Sequence, residues 1–134
     1  MSYQEEFKIR DVLHSLYEIG KLISDYVFTG NRPQATCEQM SDFVVVSVPS
    51  RMESSTYGGG YGLKPSYCNI EIYVKQKKSG VEDVNKMDAM VSEVLSILPY
   101  SDERVQLTRP VVALRGSDGL GFSAVLIRTE LLIK

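Results

Sequence analysis

With no tryptophan, one histidine and two cysteines in 134 residues, the chain lacks the side chains that several kinds of chemistry require. His14, Cys37 and Cys68 stand at no metal-ligand spacing, so a zinc site would run short of soft ligands. His14 shows no visible carboxylate or thiol partner in the sequence and reads as a surface or flanking residue of a helix rather than a base. The two cysteines read as free thiols in a reducing compartment. Positive charge is also scarce: fifteen Lys and Arg against seventeen Asp and Glu leave a net charge of -2, without the surplus needed to neutralise phosphates. Specific nucleic-acid binding is therefore not expected. No apolar run approaches the length of a membrane span, and the start, Met1 to Glu6, is polar and acidic where a signal peptide would be basic and then apolar. These absences predict a protein made and kept in the cytoplasm, or in a particle assembled there.

What is present is an ordinary globular composition, 43% hydrophobic and 24% charged, at a length that suits a single domain with its own core. Residues 4 to 28 place Ile9, Val12, Leu13, Leu16, Ile19, Ile23 and Val27 at three-and-four spacing, which predicts one amphipathic helix. Ser2 with Glu5 offers it a capping box, and Gly30 with Pro33 offers it a stop. The β-branched run Phe43 to Val48 reads as a strand. Residues 67 to 75 alternate, with Cys68, Ile70, Ile72 and Val74 on one face and Tyr67, Asn69, Glu71, Tyr73 and Lys75 on the other. A second helix is expected over Val81 to Leu98, opened by a Ser79 to Glu82 capping pattern and closed by Pro99, with Met87 and Met90 as core filling.

The last third predicts a second hairpin, Val105 to Leu114 and Phe122 to Ile133, joined by the turn-rich Arg115 to Gly121. Pro110 cannot donate to a ladder, so its strand belongs at an edge or carries a bulge. The closing strand is apolar on both faces, Ala124, Leu126 and Leu132 against Val125, Ile127, Leu131 and Ile133. Such a strand is either central in a covered sheet or covered by another subunit.

Inside the first hairpin lies a long connection, Arg51 to Ser66, rich in Gly, Ser and Tyr. It has no Gly-Lys-Ser/Thr ending and no dinucleotide spacing, so a phosphate cradle is not indicated. It reads either as a plain hairpin tip or as a binding arm in which Tyr57 and Tyr61 supply contact area.

Together these elements predict an α+β two-layer sandwich in helix, hairpin, helix, hairpin order, with two helices packed on a mainly antiparallel four-stranded sheet. That order, the long Arg51 to Ser66 loop, the helix Val81 to Leu98 following a strand that ends Tyr73-Val74-Lys75, and the closing strand Ala124 to Ile133 resemble the tail-terminator and head-tail joining proteins of long-tailed bacteriophages. The resemblance spans the whole chain and rests on architecture and spacing.

It implies a non-enzymatic virion protein of the neck or tail, without cofactor or metal. Such a protein forms a homo-oligomeric ring, commonly a hexamer, between the tail tube and the head connector. The residues expected at its protein interfaces are Arg51, Tyr57, Tyr61 and Lys64 in the long loop, Arg115 and Asp118 in the second connector, and Val125, Ile127 and Leu131 on the closing strand. Two other readings stand beside it. One is a small enzyme or ligand-binding domain drawing on Asp42, Glu71 and Arg104; the other is an adaptor of a cellular secretion or conjugation machine.

Overall fold

The computed structural model describes residues 9–30, 40–48, 66–77, 83–103, 105–117 and 121–133. In order these form helix α1 (Ile9–Lys21), strands β1 (Val27–Thr29), β2 (Asp42–Ser47) and β3 (Ser66–Lys75), helix α2 (Val84–Ile97), and strands β4 (Tyr100–Ser101), β5 (Val105–Ser117) and β6 (Phe122–Ile133). The strands make one six-stranded sheet in the order β1-β2-β3-β6-β5-β4. The expected four-stranded, mainly antiparallel sheet is thus corrected: the sheet is mixed and curled, because β1 adds to β2 in parallel and β4 adds to β5. The order helix, strand pair, helix, strand pair is kept by α1, β2 with β3, α2, and β5 with β6.

The helix expected over residues 4 to 28 ends at Lys21. Val12, Leu16 and Ile19 form its buried stripe, while Val27, which continues the same periodicity, belongs instead to β1. Beyond the helix end the Ser24 hydroxyl donates to the Asp42 carboxylate at the start of β2, a contact that ties the chain to the sheet edge. Lys21, in the last turn where the helix dipole favours a cation, donates to the carbonyl of Asp25 at 2.8 Å. Gly20 is needed for the close approach that follows, since a Cβ there would lie 2.9 Å from a methyl of Val27.

Helix α2 starts later than expected. Asp83 is its N-cap, accepting from the backbone N–H of Lys86 at 3.3 Å, and the proposed caps Ser2 and Ser79 lie outside the described residues.

Both helices pack on one face of the sheet. Val12, Leu16 and Ile19 of α1 and Met87, Met90 and Val94 of α2 meet the inward sides of β2, β3, β5 and β6 in one core cluster. Each fully buried aliphatic side chain there contributes roughly 1.5–3 kcal/mol relative to exposure. The opposite face carries a smaller aromatic cluster where the alternation of β3 predicted polar exposure. Phe43 stacks on Tyr73 with centroids 4.5 Å apart and meets Phe122 edge-on at 5.1 Å, with Met40, Val45 and Ala124 packed around them. Strand β6 lies between β3 and β5, so its two-sided apolarity has its cause inside the subunit: Val125 and Ile127 join the helix-side core, and Ala124 joins the aromatic one.

Candidate functional site: an open sheet edge

The positions expected at interfaces separate into three groups. Val125, Ile127 and Leu131 are at most 2% exposed and are covered by the chain's own helices, which places them in the core rather than on a docking surface. Arg51, Tyr57, Tyr61, Lys64 and Asp118 lie outside the described residues. Arg115 belongs to the far half of β5, next to a register shift and to Gly116, whose φ of +74° suits glycine.

Strand β5 is where apolar surface is left uncovered. On its inner side it pairs with β6 along its length; on its outer side β4 pairs only with Gln106 and Leu107. The bulge anticipated at Pro110 is present, with a register shift between Thr108 and Val111 and a positive φ of 53° at Arg109. Beyond it Val111, Val112 and Leu114 are 62%, 40% and 84% exposed.

Backbone alternation decides which groups meet solvent. The carbonyl of Val105 accepts from Asp102 on the outer side, so Thr108 faces inward to its partner Glu130. Glu130, Arg128 and Leu126 of β6 then all face β5, which turns the backbone of Val111 and Ala113 inward and that of Val112 and Leu114 outward. An edge with outward N–H and C=O groups and apolar side chains is the surface that native sheets ordinarily shield.

Next to this edge, between the start of α2 and the ends of β5 and β6, lies a hollow of about 460 Å³ lined by Val84, Met87, Leu114 and Val125, with Asp83 and Asp88 also contributing. Leu114 belongs to both the edge and the hollow, so the two adjoin, and Val84 in the hollow is 53% exposed.

Of the groups suggested for an enzyme, Asp42 and Glu71 are not brought together. Asp42 is held by Lys86 at 2.8 Å, by the Ser24 hydroxyl and by Ser41 at 3.4 Å. Burial alone would raise its pKa, but these hydrogen bonds and the lysine charge outweigh burial and hold the carboxyl below its ordinary value. A carboxylate so stabilised is a poor base, and the cluster acts as a clamp joining the α1 to β1 turn, β2 and α2. Glu71 projects from the opposite face of the sheet, and Arg104 lies outside the described residues. His14 is exposed, 3.7 Å from Glu18, in an open depression with Tyr17, Leu22 and Tyr100; no serine, threonine or cysteine lines it among the described residues. Cys68 is buried against the Thr129 hydroxyl at 3.0 Å; burial pushes its thiol up to about 11, and the hydrogen bond offsets this only in part. No group of three or more potential metal ligands occurs among the described residues.

Sequence reasoning left β6 either central in a covered sheet or at a subunit interface and did not single out the exposed stretch of β5. The signal available in the sequence was Pro110, which marks an edge or a bulge, followed by the apolar run Val111 to Leu114. Compared with protein-family models and with characterised proteins, the chain matches none.

Proposed function

We propose that this chain is a structural subunit of a tailed bacteriophage, forming a ring at the head-tail junction that terminates or joins the tail. The observation that carries this reading is the outer edge of β5, where Val111, Val112 and Leu114 are exposed beside outward backbone groups and a contiguous apolar hollow. An isolated domain gains nothing from leaving such an edge open, whereas an assembling subunit uses it for contact. Two helices and the strand pairs β2 with β3 and β5 with β6 follow in the expected order, although the sheet is mixed and six-stranded where a four-stranded antiparallel one was expected. In this reading the chain has no catalytic activity of its own, its partners are further copies, tail-tube and head-connector proteins, and its place is the virion, after assembly in the host cytoplasm.

Two observations test the proposal together. The genes flanking the coding sequence are expected to encode portal, capsid or tube proteins; flanking secretion or conjugation genes would favour the adaptor reading, and metabolic genes the enzyme. Sedimentation velocity across a concentration series is expected to show growth from the 15.0 kDa chain to one closed species. Unlimited growth would contradict a ring.

A further inference from the structure

Among the described residues the sheet has a second open edge, and the two edges match. At β1 the carbonyl of Tyr26 accepts from Val44 and the N–H of Gly30 donates to Val46, so these residues face β2. Alternation then turns the backbone groups of Val27 and Thr29 outward, where no strand pairs with them among the described residues. Each edge therefore offers two outward residues spaced two apart: Val27 and Thr29 on β1, Val112 and Leu114 on β5.

We propose that the sheet continues from copy to copy, the β5 edge of one chain pairing antiparallel with the β1 edge of the next. This deepens the ring reading above by assigning its seam. Polarity agrees, because β1 runs with β2, β2 against β3, β3 against β6 and β6 against β5, so a neighbour in the same orientation brings its β1 antiparallel to β5. The side-chain faces agree as well. Val27 packs on the helix side, and Val112 and Leu114 stand opposite the helix-side residues Ile127 and Val125. Pairing Val112 with Thr29 of the next copy, and Leu114 with its Val27, closes about four backbone hydrogen bonds, two per pair.

Unlike edges make a head-to-tail contact, the kind that closes into rings.

Complementary blocking tests the seam. Leu114→Lys charges the β5 edge, and Thr29→Pro removes an outward N–H from β1; both side chains are exposed, so circular dichroism should report intact folds. Native mass spectrometry should find each variant monomeric alone, and a 1:1 mixture arrested as a heterodimer joined through the two unblocked edges. Dimers of Thr29→Pro alone would show β5 pairing with itself and overturn the inference. So would variants that assemble like the parent, or a parent chain monomeric at its highest soluble concentration. The seam and the phage reading fail separately: arrested heterodimers with metabolic gene neighbours would leave the seam standing, and rings indifferent to both blocks among phage genes would leave the ring reading.

Discussion

Replacing Ile127 separates a core β6 from an interfacial one. Ile127 is 0% exposed, sits on the central strand opposite Ile70 on one side and Val112 on the other, and belongs to the cluster beneath both helices. Truncation to alanine in such a place removes buried methyl and methylene groups and leaves a cavity, at about 2–5 kcal/mol. With a urea m value of about 1.5 kcal/mol/M for a small domain, a loss of about 3 kcal/mol moves the unfolding midpoint down by about 2 M. Ile127→Asp is harsher, since an unpaired buried charge adds several kcal/mol to the lost packing, against a total stability of about 5–15 kcal/mol for a domain. Urea titration followed by far-UV circular dichroism should therefore show a cooperative but shifted transition for the alanine variant and no folded baseline for the aspartate. A folded, monomeric Ile127→Asp chain with a near-parental midpoint would refute the core assignment and return β6 to a subunit interface.

The Asp42 clamp predicts a pH signature. Its folded pKa lies below the ordinary value of 3.8, so its stabilisation is full above that value and is lost as pH falls through the folded pKa. Asp42→Asn should cost about 1 kcal/mol at neutral pH, allowing for the partly exposed Lys86, and the gap to the parent in thermal melts should close as pH falls below 3.8 and through the folded pKa. A gap independent of pH would remove the charge from the explanation. Cys68, with its thiol pushed up to about 11, should resist thiol reagents at pH 8 until the chain unfolds, as peptide mapping after labelling will report; rapid native labelling of Cys68 would contradict its burial. Its contribution to stability is full below the ordinary value of 9.0 and falls away as pH rises toward 11. Gly20→Ala should lower the melting temperature despite alanine's better helix propensity, because the added methyl meets Val27 at 2.9 Å; a rise would mean that β1 yields without strain.

Elements whose periodicity persists over several residues were legible in the sequence. The stripe Val12, Leu16, Ile19 and the alternation Cys68, Ile70, Ile72, Val74 both point at the core they were expected to face. The short strands were not legible, for physical reasons. Strand β1 has three residues and β4 two, too few for any period to show, and Val27 stands four positions after Ile23 as a helix residue would. Val27 instead pairs with Val44, beside a hydroxyl to carboxylate bond between Ser24 and Asp42, eighteen positions apart, and a local pattern cannot report either contact. Tyr73 looked solvent-facing for the same reason: its burial depends on Phe43 and Phe122, which the fold brings to it from two other strands.

The candidate site was legible in part. Pro110 correctly marked an edge or a bulge, and both are present, but two-sided apolarity drew attention to β6, which the sheet order places in the middle. Apolar residues on both faces of a strand say that something covers it. They do not say whether the cover is the same chain or another. On β5 no described residue covers Leu114, which is the observation behind the proposed seam.

Cryo-electron microscopy of the concentrated full chain puts the central claim to its most direct test. The account predicts closed rings in which the sheet runs on between neighbours, with β5 residues Val112 and Leu114 against Thr29 and Val27 of the next copy. Monomeric particles, or rings whose contacts leave the outer edge of β5 in solvent, would contradict it.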